Sequence, residues 1–281
     1  MDKKIEMNIG ENKFTKKEKI ILDYILKNKK KACYMTSNEI ADELKISASS
    51  VVRISKKLGF DTYTALRKAL QIEEHNETPV AEIPYKKISR YKAFSDAELI
   101  NAFRHIVVSN LQNSMSTENA KQLVRAANLI TKARKVYIVG HRACSGFASS
   151  LSVMLSCIRS DIMYIGEHQP LIDRLIDIGE ADCLLAISFS RYSKHTVLAT
   201  EIARDSGADI IAMTDSFTSP IAVDAKAVII NDVENMSFYN SYVSFVMSME
   251  TLVALVSKRN EVLNEIRLEK MEKYLEKTGQ Y

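Results

Sequence analysis

Residues 36–58, TSNEIADELKISASSVVRISKKL, decide how the chain is read. Thr36 or Ser37 can cap a short helix whose inward positions are Ile40, Ala41 and Leu44. Ser47 can open a second helix in which Val51, Ile54 and Leu58 recur at helical spacing. Gly59 follows Leu58, where a helix end favours a residue that tolerates left-handed backbone. The outer positions of the second helix are Ser49, Ser50, Arg53, Lys56 and Lys57. Two short helices joined by a tight turn, the second polar and cationic on its free side, form a helix-turn-helix. Its second helix is the one built to enter a DNA major groove.

Charge supports this reading. Residues 1–77 hold 16 Lys and Arg against 12 Asp and Glu, whereas residues 78–281 hold 23 of each. Between Leu44 and Leu70 there are six basic residues and one acid, Asp61. Cations gathered on and after the proposed recognition helix supply the phosphate neutralisation that DNA affinity requires. Working outward, a helix is expected from Thr15 to Asn28, with Glu18 completing a capping box. Another is expected from Tyr63 to Ile72. Residues 1–77 therefore read as an all-α helix-turn-helix domain. Residues 78–94, with two of the four prolines and no clear period, read as a linker.

Residues 95–281 form the second domain. Leading helices are expected at 96–113 and 117–132. Short apolar strands then alternate with helices: strands at 136–140, 161–165, 182–188, 209–213 and 227–230, and helices at 145–159, 170–178, 194–206 and 237–258, with a charged helical tail at 260–277. This alternation predicts an α/β domain with a five-stranded parallel, flavodoxin-like sheet covered on both faces. Ligands of such sheets bind beyond the carboxyl ends of the strands.

Two turns there carry the chemistry. The first strand ends in Gly140-His141-Arg142-Ala143-Cys144-Ser145, and the third in Ser188-Phe189-Ser190-Arg191-Tyr192-Ser193, followed by Lys194, His195 and Thr196. Glycine allows a sharp turn, and the helix that follows aims free N–H groups at whatever occupies it. Hydroxyls, amides and a cation suit a phosphate monoester. Serine clusters are also ordinary turn formers. Neither a P-loop nor a dinucleotide fingerprint is present.

The N-terminal pattern resembles that of the RpiR family of bacterial regulators. Its Ser-x-x-Thr-Val-x-Arg element is matched by Ser47, Ser50, Val51 and Arg53, with serine for threonine, and its Lys-Lys-Leu-Gly-Phe by residues 56–60. From about residue 130 the chain resembles a SIS (sugar isomerase) domain, which in that family binds a phosphosugar. Cys144 stands where many SIS domains have serine, with Ser145 beside it. Ser190-Arg191-Tyr192-Ser193 replaces the usual Ser-Gly-x-Thr, and the added arginines favour a more acidic ligand than a simple hexose phosphate. The resemblance implies a transcriptional regulator whose operator binding is controlled by a phosphorylated sugar.

The expected DNA contacts are Ser47, Ser49, Ser50, Arg53, Lys56 and Lys57. The expected ligand contacts are Gly140, Arg142, Cys144, Ser145, Ser188, Ser190, Arg191, Ser193 and Thr196. The expected partners are a double-stranded DNA operator, a phosphosugar effector and further copies of the chain, as a homodimer or homotetramer. No catalytic residue, cofactor or metal is assigned, because His141, His168, His195 and Glu234 have no partner recognisable in the sequence, and no Cys or His pair has metal-ligand spacing. The competing readings are a phosphosugar isomerase with an accessory helical domain, and a binding module whose helical domain pairs proteins. Cys33, Cys144, Cys157 and Cys183 show no disulfide-like spacing, no run of 18 apolar residues occurs, and a reduced cytoplasmic setting is expected.

Overall fold

The computed structural model describes residues 14–28, 32, 33, 35–76, 88, 92 and 94–279. Most of the expected 78–94 linker lies outside the described residues. Two compact units emerge: residues 1–108 with 235–240, and residues 109–234 with 241–281.

The first unit is helical. α1 (Lys16–Lys27) begins at the capping box of Thr15 and Glu18. α2 (Ser37–Glu43) begins at a second one, Thr36 with Glu39. α3 (Ala48–Lys57) follows a tight turn in which Lys45 is left-handed. Ser47 precedes α3 without a side-chain cap to the backbone. α3 ends in a Schellman arrangement: Gly59 has φ +83°, and the Phe60 N–H donates to the Ser55 carbonyl at 2.9 Å. α4 runs over Tyr63–Asn76, four residues beyond the expected end. Ile21, Ile25, Ile40, Val51, Ile54, Leu58 and Leu66 are buried together. α5 (Asp96–Ser114) belongs to this unit through Val108, and its Ala102 and Ile106 join that core. Met236 does as well.

The second unit is a parallel sheet in the order β2-β1-β3-β4-β5. The strands are β1 (Val136–Gly140), β2 (Ile162–Ile165), β3 (Cys183–Ile187), β4 (Asp209–Thr214) and β5 (Ala227–Ile230). Between them lie α6 (Thr117–Lys132), which precedes β1, then α7 (Ala143–Ile158), α8 (Leu171–Leu175) and α9 (Lys194–Asp205). α10 (Val243–Ser257) and α11 (Glu261–Thr278) follow β5. Every strand alternates faces. Val136 and Ile138 pack with α6, α7 and α10, whereas Tyr137 and Val139 pack with α8 and α9.

The two ends of the sheet differ in chemistry. At the amino ends, Arg134 donates two bonds to buried Asp182, at 2.9 and 2.7 Å, and Lys226 pairs with Asp209. At the carboxyl ends lie glycine, hydroxyls and helix N-termini. The expected helix at 237–258 begins only at Val243. Before it, Ser237 N–H donates to Asn235 Oδ1 at 3.1 Å and Tyr239 N–H to Ser237 Oγ at 3.4 Å, so short polar side chains take the amides a helix would need.

In the helical unit a part-buried ion pair has a pH consequence. Lys57 Nζ meets Glu18 Oε2 at 2.8 Å, and the Glu18 side chain is only 10% exposed. The Lys57 ammonium, then the Thr15 N–H, hold the Glu18 carboxyl down to about 2 from its ordinary 4.5. A depressed carboxyl adds stability above 4.5 that is lost as pH falls towards about 2. Lys57→Met should therefore melt earlier than wild type at neutral pH, with the difference closing across that window. Thermal melts at a series of pH values check this; a difference that persists at the acid end would show that lost packing, not the charge pair, is responsible.

Candidate functional site

In the helical unit, the exposed end of α3 gathers four of the six residues expected at DNA. Ser47 Oγ lies 3.0 Å from Ser49 Oγ and 2.9 Å from Ser50 Oγ, and Arg53 Nη2 donates to Ser50 Oγ at 3.5 Å. Their exchangeable hydrogen bonds leave hydroxyl and guanidinium groups able to reorient towards a phosphate or base edge. Arg53 is exposed one turn before Lys56, also exposed, so the two share that side of the helix. Lys57 is not with them. Its ammonium pairs with Glu18 and lies 5.6 Å from the centre of the Phe14 ring.

In the sheet unit, β1 and β3 are neighbours, and Gly140 pairs with Ile187 at their last register position. The chain leaves β1 into α7 on one face and leaves β3 into α9 on the other. The strand order thus reverses between them and opens a crevice. Gly140 is required there, since a Cβ would sit 2.7 Å from the Cys144 carbonyl oxygen and 3.1 Å from Ala148 Cβ. An aromatic group of Phe147, Phe189, Tyr242 and Phe245, with ring centres 4.9–5.6 Å apart, fixes the two turns against α10.

The predicted ligand residues meet along this crevice with unequal freedom. Ser145 Oγ is 2.8 Å from the Tyr164 hydroxyl. Ser188 is buried, and its Oγ accepts from the Ser193 N–H at 3.2 Å, which leaves its proton to donate. Ser193 precedes α9, and its side chain makes no cap to the backbone. Ser190 donates through both N–H and Oγ to Asp215 Oδ2, the first at 3.1 Å. Thr196 is fully buried, and its Oγ1 is 3.2 Å from His141 Nδ1. Burial pushes the Cys144 thiol up to about 12, so it remains neutral and contributes packing rather than a nucleophile.

Arg142, the N-cap of α7 two residues beyond β1, and Arg191, four residues beyond β3, both have positive φ, at +56° and +69°. Arginine in that conformation costs about 1–2 kcal/mol that glycine avoids. Both are exposed at the mouth, with Lys194.

Sequence reasoning passed over Tyr164, Glu167 and Asp215, and it named His195 without finding its partner. Tyr164 is the penultimate residue of β2, Glu167 and Asp215 follow β2 and β4, and His195 stacks on His141 with ring centres 5.1 Å apart. Glu167 accepts from the Arg142 N–H. Burial first, and then His195, lower the pKa of His141, against the pull of Glu167. All but His195 lie on or next to the carboxyl ends of strands; examining all five strand ends, rather than two, would have found them. Among the described residues, no group of His, Cys, Asp or Glu side chains is placed to hold a metal ion, and no helix is long and apolar enough to cross a membrane.

Residues 1–77 match the helix-turn-helix domain of the rpiR family, and residues 129–258 match the SIS domain. The HTH-type transcriptional regulator RpiR of Escherichia coli (strain K12) is 27% identical over 220 residues, 76% of this chain and 71% of that protein. The sugar isomerase domain of an RpiR transcription factor from Sphaerobacter thermophilus superposes with a TM-score of 0.59 at 22% identity, over 63% of this chain and 99% of that one. The Vibrio vulnificus NanR protein, complexed with ManNAc-6P, superposes with a TM-score of 0.54 at 18% identity, over 93% of each chain. The chain thus carries a helix-turn-helix domain of the rpiR family together with a SIS domain, and it is similar to RpiR-type transcriptional regulators.

Proposed function

We propose that the chain binds operator DNA through α3 and that a phosphorylated sugar, or a related acidic metabolite, in the β1–β3 crevice controls that binding. The observation that carries the reading is the crevice itself: two hydroxyl-bearing turns and two arginines at a switch point, in a chain that also carries a DNA-binding fold. The NanR complex with ManNAc-6P supports a phosphosugar as the ligand class. Ser145, Ser188, Ser190, Ser193 and Thr196 supply hydroxyls, Gly140 and Cys144 shape the turn, and Arg142 and Arg191 supply charge. The helical unit and the sheet unit serve the two tasks. Reading two half-sites calls for a homodimer or homotetramer. Val262, Leu263 and Ile266, exposed on α11, offer apolar surface for such pairing.

A second reading, phosphosugar isomerase, is favoured by one observation. His141 lies 3.2 Å from Thr196 Oγ1, and burial, then His195, lower its pKa, the direction a general base requires. Turnover separates the two. Incubation of the pure protein with aldose and ketose phosphates should give no interconversion, while a thermal-shift panel of the same compounds should find a stabilising ligand. At 100 times its dissociation constant the gain is about 2.7 kcal/mol. Interconversion at enzymatic rates would reverse the assignment.

Two substitutions on α3 should behave differently. Lys56→Ala should weaken binding to all duplexes and lower the slope of log affinity against log salt by about one unit. Lys57→Ala should leave the slope unchanged and lower the melting temperature instead. Arg53→Ala should cost about 1–3 kcal/mol of operator affinity if Arg53 reads a base edge. Fluorescence anisotropy at several salt concentrations measures all three.

Arg191→Gly should raise the melting temperature, since it relieves about 1 kcal/mol of left-handed strain, and should weaken binding of a phosphorylated sugar. Melting and calorimetric titration of one preparation check both signs. A loss of stability would mean that the arginine side chain holds the turn.

A further inference from the structure

Some of the donors that a phosphate would use in the crevice are already engaged by the chain's own carboxylates. Ser190 gives both its N–H and its hydroxyl proton to Asp215 Oδ2. The Arg142 N–H, at the start of α7, is given to Glu167 Oε1. The two carboxylates arrive from separate places, Asp215 beyond β4 and Glu167 beyond β2, which lie on either side of the β1–β3 pair. Each turn is thus closed by an anion from the neighbouring strand. The surroundings are otherwise cationic or neutral: Arg142, Arg191, Lys194, His141, His195 and the Tyr192 phenol, which burial keeps protonated.

The proton inventory makes this arrangement consequential. A phosphate dianion only accepts hydrogen bonds, and a serine hydroxyl has one proton to give. While Ser190 spends that proton on Asp215, its oxygen presents lone pairs alone and repels a phosphate oxygen. The Arg142 N–H likewise has one hydrogen, directed at Glu167. A phosphate that enters must take these donors from the carboxylates, and until they withdraw it meets two like charges at close range.

We propose that Asp215 and Glu167 act as internal stand-ins for the effector's phosphate, holding both turns in a donor-organised state and being displaced when the ligand binds. The inference rests on the phosphosugar reading given above and adds a regulatory threshold to it. The carboxylates keep the empty turns ordered, and they oppose occupancy by weak anions at low concentration. A dianionic ester that also gains the sugar's contacts overcomes them. They thereby act as specificity-determining residues that a neutral sugar does not feel.

Calorimetric titration of the full chain with inorganic phosphate, glucose 6-phosphate and glucose tests the proposal. Asp215→Asn and Glu167→Gln keep an acceptor in place and remove the charge. Each should tighten the binding of phosphate and of glucose 6-phosphate about tenfold and leave the response to glucose unchanged. Anion binding seen in the variants but too weak to detect in wild type supports the proposal equally. Glu167 is exposed, so Glu167→Gln carries the test even if Asp215→Asn folds poorly. If wild type binds either anion and both variants bind it no better, the carboxylates position the turns without competing, and this inference alone is overturned. If wild type and both variants bind neither anion, the phosphosugar reading falls and this inference with it.

Discussion

The reversal of strand order between β1 and β3 is the constraint on which the candidate site depends. β1 hands the chain to α7 on one face of the sheet, and β3 hands it to α9 on the other. Neither helix can cover the gap between the strand ends, so that gap is open by topology. Everything placed there is placed by rigid elements: Gly140 by its close approach to α7, Ser188 and Phe189 by β3 and the aromatic group beneath, and Thr196 by the buried side of α9. The amino ends of the strands show the contrast. Their charges, Arg134 with Asp182 and Lys226 with Asp209, are paired and serve to fasten the sheet. At the carboxyl ends the exposed arginines stand among hydroxyls and backbone amides. One end of the sheet is fastened by paired ions, while at the other Asp215 and Glu167 take donors of the two turns.

How much of this was legible in the sequence depended on the kind of interaction involved. Periodicity found each helix and strand, because alternating burial writes itself into hydrophobic spacing. It erred where polar side chains, not burial, decided the backbone. The stretch before α10 contains Phe238, Tyr239 and Tyr242, which continue an apolar pattern, yet the bonds from Ser237 to Asn235 and from Tyr239 to Ser237 hold it out of the helix. Asp161 has φ +60°, so β2 starts at Ile162, one residue later than expected. Such local competition involves one or two hydrogen bonds and leaves no period to detect.

The candidate sites show the same division. The serine–arginine face of α3 and the two turns were visible because each is contiguous in the chain. Lys56 and Lys57 are adjacent and chemically identical, and only their angular positions on α3 separate them. Glu18, which claims Lys57, lies 39 residues away and reads in the sequence as no more than a capping residue. Asp215 and Glu167 were passed over for the same reason. Their partners, Ser190 and Arg142, are each 25 residues distant, and nothing local marks an aspartate after one strand as the acceptor for a serine after another.

Two opposing features now meet at one mouth. Arg142 and Arg191 have a positive φ that favours glycine, a strain that persists only where surrounding structure enforces it. Beside them, Asp215 and Glu167 take the very donors an anion needs. A site optimised for stability alone would relax the arginines to glycine, and a site optimised for affinity alone would lack the carboxylates. Strain retained with the cations and anions set against the same donors balance one another only if the site must be empty as well as filled, each under its own conditions. An enzyme turning over at steady state gains nothing from that balance, because occupied competitor sites raise the substrate concentration it needs. A sensor gains a threshold.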